Sequence, residues 1–282
     1  MDFIGFLLTV GAALGFTGLD VVRKLLADRI DLVPLLFAMT AGVVPIYLVW
    51  WQAVGGATAG EGYLLPAAGS VVLNVAANLL FLRSVQIGGL AATIPMLSLT
   101  PVFTAIFGAL LLRELPVGVQ WLGIVLVVTG AFLLNLPGAG DEDADRMRGA
   151  LMMVGVAVCW SLAPALDKLS IEASSPMFHG IVLQAGVAVL VLPILMRSGG
   201  WPRALGEHKW LLLAAIALSA LAVALQLMAM ERVFVGLLET TKRAIGSTAA
   251  LAVGSLVFSD RTGLREWSAV AIMTAGVAVI LL

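Results

Sequence analysis

The chain is a succession of apolar runs, each about 20 residues long and joined by short connections. A helix rises about 1.5 Å per residue, so a run of that length spans the roughly 30 Å hydrocarbon core of a bilayer. Ten such runs are read, at approximately 3–22, 33–52, 63–82, 88–112, 117–136, 149–169, 176–197, 209–230, 236–258 and 265–282. Of the 282 residues, 61% are hydrophobic and 12% charged. A soluble domain is roughly 45–50% apolar and about 25% charged, so this chain lacks the polar surface to cover itself in water. Intrinsic disorder needs the opposite composition. The first run opens Met1-Asp2-Phe3 without a basic leader and is expected to be a retained helix.

The longest polar connection lies at the middle, from Pro137 to Arg148, and separates two related halves. At an offset of 144, Val10-Gly11 falls on Val154-Gly155, Phe16 on Trp160, Thr17 on Ser161, Lys24 on Lys168, and Ala41-Gly42-Val43 on Ala185-Gly186-Val187. Toward the end of each half the offset becomes 146, matching Gly108 with Gly254, Glu114 with Asp260, Trp121 with Trp267 and Gly130 with Gly276. Each half holds five runs, an odd number, so two consecutive copies cross the membrane in opposite senses. The fold expected is an all-α membrane protein of ten transmembrane helices in two inverted five-helix repeats, residues 1–136 and 149–282, with residues 137–148 as linker.

Several function classes fall away. One cysteine, Cys159, and two distant histidines, His179 and His208, form no metal-ligand spacing, and no cofactor is expected. No Ser-His-Asp arrangement, phosphate-cradling glycine loop or paired-carboxylate site is visible, so no enzyme is expected. Sixteen Lys+Arg against seventeen Asp+Glu give no sign of a nucleic-acid partner. Cationic residues in the connections divide three against eleven between the two sides, which favours both termini outside the cytoplasm. Six of the seven tryptophans (Trp50, Trp51, Trp121, Trp201, Trp210 and Trp267) sit near run ends, where interfacial belts form.

Ionisable groups within a span are costly and mark function by default. The ninth run carries Glu239, Lys242, Arg243 and Gly246 at i, i+3, i+4 and i+7, on one helical face. Arg243 offers a planar fork of donors and Lys242 a compact charge, together a clamp for an anion, with Glu239 pairing with either cation. A buried ion-pair network that fixes packing is the alternative. Asn74 and Asn78 share a face of the third run, Gln226 lies on the eighth, and Thr40 and Gln184 are equivalent on the second and seventh. These are expected to offer hydrogen bonds to a ligand or between helices. Phe16 and the mid-span Trp160 would supply apolar or stacking surface. Asp20 is expected to pair at the surface with Lys24 or Arg23. Asp167-Lys168 is read as interfacial, and Glu114 and Asp260 as capping or turn residues.

The stretch Leu99-Thr100-Pro101-Val102-Phe103 through Gly108, then Leu112-Arg113-Glu114, Gln120-Trp121-Leu122-Gly123 and Gly130, resembles a repeat ending of the drug/metabolite transporter superfamily, in its EamA-type ten-helix branch. The resemblance covers nearly the whole chain. It implies a two-repeat carrier with a central cavity lined mainly by the first, third, fourth, sixth, eighth and ninth spans. It also implies cytoplasmic termini, against the charge count. Lys242-Arg243 is similar to the phosphate-binding pair of plastid sugar-phosphate translocators, a distant branch. The lysine those proteins carry in the fourth helix falls here on Leu97, which cannot bind phosphate.

The expectation is a secondary active transporter that moves a small anionic metabolite, with a phosphorylated one favoured, across a membrane by alternating access. Its binding residues would be Lys242, Arg243, Glu239, Asn74, Asn78, Gln184, Gln226, Trp160 and Phe16. Two rivals are a proton-coupled exporter of amino acids or other zwitterions and a flippase for an anionic or phosphate-bearing lipid. The setting expected is a bacterial cytoplasmic membrane, as monomer or homodimer, with the lipid bilayer and a small anion or lipid phosphate as partners.

Overall fold

The computed structural model describes residues 2–27, 30–88, 94–134, 144–197, 204–257 and 263–281. Among them there is helix and no strand. The principal helices are α1 (Phe3–Ala27), α2 (Leu32–Ala53), α3 (Leu64–Gly88), α4 (Thr100–Phe107), α5 (Gly118–Leu134), α6 (Ala144–Glu172), α7 (Pro176–Arg197), α8 (Lys209–Met230), α9 (Val235–Val257) and α10 (Leu264–Leu281), with a four-residue helix at Ala204–Glu207.

Six of these are long and apolar enough to cross a membrane: α1, α2, α3, α6, α7 and α8. Met96–Leu112, Gly118–Leu133 and Trp267–Ile280 are apolar but shorter. α4 is the middle of a composite rod, preceded by a 3-10 turn at Ile94–Leu99 and followed by a π turn at Gly108–Leu112. Pro101 sits in the first turn of α4, where its missing N–H leaves no helical bond unmade. Arg113 then stops the rod in the left-handed region, at φ 57°.

Lipid does not drive apolar helices together, so close packing through small residues has to. α1 runs Gly11, Gly15 and Gly18 along Leu225, Ala222 and Leu218 of α8; a Cβ on Gly15 would lie 3.2 Å from the Ala222 Cα. α5 and α10 meet at Gly123 and Gly276, where a Cβ on either would come within 2.8 Å of the other's carbonyl oxygen. α3 packs chiefly on α6, and α2 on α7, so each pairing joins one half of the sequence to the other. The outward faces carry Val49, Leu65, Leu110, Val189 and Leu213, all exposed and apolar, as a lipid-facing surface requires.

One end of the bundle gathers the first residues and four connections. Asp2 pairs with Arg232, the Gly60 N–H donates to the Ala173 carbonyl at 2.7 Å, and Glu114 accepts the Val235 N–H at 2.7 Å. This is called the Glu114 end below.

Candidate functional site

α9 starts at the Glu114 end, and its charged face lies one to two turns inside. Lys242 Nζ donates to Glu239 Oε1 at 2.7 Å and to Gln226 Oε1 on α8. It also stands 4.9 Å from the ring centroid of Phe16 on α1, in cation–π geometry. The Lys242 and Glu239 side chains are only 14% and 12% exposed. Three helices, one from the first half and two from the second, therefore converge on one ammonium. Thr17, one position beyond Phe16, lies 3.8 Å from where a Gly246 Cβ would stand, so a glycine lets α1 approach α9 beside the cluster.

Lys242 is thus satisfied from within the protein. Its charge is balanced by Glu239, and its three protons face a carboxylate, an amide oxygen and an aromatic ring. Arg243 differs. It is half-buried and makes no hydrogen bond to a described residue, and no described carboxylate lies within 4.0 Å of its guanidinium. It still acts electrostatically on Glu239 and on Asp20 of α1. Asp20 pairs with Arg23 at 3.3 Å, as expected from the sequence, yet its side chain remains 70% exposed. Asp20 lies one turn along α1 from Phe16, so it belongs to the surroundings of Arg243 as much as to the helix end. Among the described side chains, two carboxylates and three cations leave one net positive charge, and Arg243 is the one without a partner of its own.

The remaining expected residues are not joined to this cluster. Asn74 Nδ2 donates to the Ser70 carbonyl at 3.0 Å and to Ser70 Oγ, and Asn78 Nδ2 donates to the Asn74 carbonyl at 2.7 Å. These amides run back along their own helix. Gln184 is buried on α7, and no hydrogen bond ties it to Lys242. Trp160 faces Phe81 at 5.8 Å within an apolar group that includes Leu97, Met153 and Met96. Leu97 is therefore part of an apolar wall, in line with its inability to bind phosphate.

A second polar centre escaped the reading of the sequence. Asp167, expected at the interface, is 3% exposed and accepts a hydrogen bond from Ser70 Oγ. His179, fully buried on α7, places Nε2 at 2.9 Å from the same Asp167 oxygen and Nδ1 at 3.2 Å from the Tyr63 hydroxyl. The hydrogen-bond network assigns an Nε2–H that donates to Asp167, with Nδ1 accepting from Tyr63. Serine, histidine and aspartate do meet here, but Ser70 bonds the aspartate rather than the histidine, which is not how a nucleophile is activated. The neighbouring Lys168, also read as interfacial, bonds Glu114 and donates to the Val233 carbonyl at 3.1 Å. Glu114 meets its expected capping role, since its other oxygen takes the first N–H of α9. The equivalent Asp260 lies outside the described residues. In the sequence, the match of Lys24 with Lys168 and the acid at Glu114 mark members of this centre but not their pairing.

Among the described residues no group of histidine, cysteine or acidic side chains is arranged to hold a metal. Comparison with known proteins adds the family. A crystal structure 17% identical in sequence superposes with a TM-score of 0.81, covering 99% of this chain and 98% of that one, and so shares the fold. No curated protein matches the chain. The model of the EamA-like transporter family matches twice, at residues 3–136 and 147–282. Two copies side by side, in a chain whose long apolar helices pair across the halves, identify an integral, multi-pass membrane protein; the chain belongs to the EamA-like transporter family.

Proposed function

We propose that the chain is a secondary transporter of a small metabolite bearing an anionic group, and that Arg243 anchors that group. The observation that carries this reading is a guanidinium inside the helix bundle with no hydrogen bond and no ion pair among the described residues, next to a lysine that has both. A planar fork of donors held unpaired beside a neutralised pair suits a carboxylate or phosphate oxygen. Lys242 serves as scaffold: it ties Glu239, Gln226 and Phe16 together, one residue before Arg243. A phosphorylated metabolite remains the first choice of anion, because a guanidinium fork in a cluster of net positive charge suits a group with several charged oxygens. In this reading ten helices cross the bilayer, five per repeat in opposite senses, and the repeats rock about the site.

A second reading is favoured by Asp20. An exposed carboxylate that acts on Arg243 without touching it suits a zwitterion, with its acid on Arg243 and its amine on Asp20.

Ligand-induced thermal stabilisation of the purified protein separates the two. Glucose 6-phosphate and inorganic phosphate raising the melting temperature of wild type, but not of Arg243→Ala, supports the anion reading. Stabilisation by neutral amino acids that is lost in both Arg243→Ala and Asp20→Asn supports the zwitterion. Equal stabilisation of wild type and Arg243→Ala by every effective compound removes Arg243 from the site.

A further inference from the structure

A groove of about 690 Å³ lies at the Glu114 end, between the start of α3 and the end of α6. None of its lining residues belongs to the charged face of α9. Its walls are apolar, with Leu65 and Pro66 on α3 and Leu166 and Leu169 on α6, and Glu61 and Glu172 line it as well. The two acids flank a single backbone bond, from the Gly60 N–H to the Ala173 carbonyl at 2.7 Å. On the other side of Glu61, Gly62 takes φ 82°, a left-handed conformation that glycine adopts without strain, and the Tyr63 hydroxyl is held by His179. The turn that presents Glu61 is therefore fixed on both sides. Because α3 packs chiefly on α6, the groove lies between two helices that stay together. Neither acid has a cation of its own: among the described residues, the side chains of Glu61 and Glu172 make no ion pair and no hydrogen bond. Lys168, one turn before Glu172 on α6, is already bonded to Glu114 and to the Val233 carbonyl.

We propose that this groove holds one phospholipid whose headgroup carries a primary ammonium, with the ammonium on Glu61 and Glu172 and an acyl chain along the leucine walls. The position suits a lipid. Glu61 stands just before the first residue of α3 and Glu172 is the last residue of α6, so both lie at the level of the span ends, where headgroups sit. Leu64 and Leu65, 79% and 84% exposed, open the groove toward the hydrocarbon. The occupant must join a cation to an apolar body. A soluble amine lacks the apolar part. An anionic lipid brings like charge to two carboxylates. A trimethylammonium headgroup carries the charge without an N–H to donate. A primary ammonium offers three donors, and its bonds to carboxylates are charge-assisted. Binding requires no movement of the helices, so the lipid is a fixed constituent on the flank of the bundle, independent of transport and of Arg243.

Native mass spectrometry of the delipidated full-length protein in detergent tests this, with phosphatidylethanolamine, phosphatidylcholine and phosphatidylglycerol of identical acyl chains titrated in turn. Wild type is expected to bind phosphatidylethanolamine about tenfold more tightly than either of the others, as hydrogen bonds to charged groups allow. The Glu61→Gln, Glu172→Gln double variant is expected to bind all three alike. Both side chains are exposed, so its unfolding temperature without lipid is expected to match wild type. Glu172→Lys, made alone, is expected to turn the preference toward phosphatidylglycerol. Equal binding of phosphatidylethanolamine and phosphatidylglycerol to wild type overturns the proposal, and so does a preference for phosphatidylethanolamine that survives in either variant. Phosphatidylcholine bound as tightly as phosphatidylethanolamine overturns the primary ammonium. Free ethanolamine that displaces the lipid at equal concentration overturns the part given to the apolar walls. No transport substrate is present, so these outcomes bear on the groove alone, whereas the Arg243→Ala measurements bear on the anion site alone.

Discussion

The division of labour between Lys242 and Arg243 rests on one helical turn. Lys242, three residues after Glu239, finds a carboxylate, an amide and a ring; Arg243, one residue further, finds none within bonding distance among the described residues. The spacing of Glu239, Lys242 and Arg243 on one face was legible from the sequence, because helical periodicity is local. Which cation would be spent internally was not. Gln226 is 16 positions away, and Phe16 lies on the first helix, brought near by packing between the halves. Asp167 and Lys168 show the same limit more strongly. Their position near a span end suggested water, but their partners Ser70 and Glu114 stand 97 and 54 positions away in sequence. Two outcomes follow at this scale. Glu239→Ala leaves a nearly buried ammonium without its carboxylate, and is expected to lower stability by about 3–5 kcal/mol, read as a fall in melting temperature in detergent. Glu239→Gln, which keeps an acceptor for Lys242, is expected to lose much less.

At the scale of helices, the contacts are set by glycines whose neighbours are backbone. A Cβ on Gly276 would stand 2.8 Å from the Gly123 carbonyl oxygen and 2.9 Å from the Val127 nitrogen, atoms that cannot swing aside. Gly276→Val is therefore expected to force α5 and α10 apart and to cost at least about 1–3 kcal/mol, measured by thermal unfolding. Gly118, the first residue of α5, meets nothing within 4 Å. Gly118→Ala is expected to be neutral or to stabilise by up to about 1 kcal/mol. A Gly118→Ala loss as large as that of Gly276→Val would show that glycine content, and not helix contact, governs stability. The positions of the apolar helices were readable because roughly 20 apolar residues have one common use. The fourth span was readable only in part: Pro95 and Pro101 permit a break in regular winding, but not the order of 3-10, α and π turns or the stop at Arg113.

For the whole molecule, the twofold match to one family model and the matching offsets within the sequence describe the same duplication. The halves have kept their packing and lost their chemical likeness. Lys242 and Arg243 fall, at the offset of 146, on Met96 and Leu97, which pack in an apolar group with Trp160. One half thus carries the cationic pair, and the other an apolar group at the equivalent place. The ten-helix arrangement has its own test. Ala59→Cys and Glu207→Cys are separated by α3 to α7, five helices, and are expected to react with an impermeant reagent from opposite faces of the membrane. By the loop charges alone, Ala59 is expected on the outer face. Labelling of both from one face would contradict five crossings between them. The anchor itself is tested most directly by uptake into proteoliposomes of radiolabelled glucose 6-phosphate or another anionic compound that stabilises the wild type, comparing wild type with Arg243→Ala. Loss of one charge-assisted contact is expected to reduce uptake at low substrate by at least about tenfold; uptake by Arg243→Ala at the wild-type rate would contradict the assignment of Arg243 as the anion anchor.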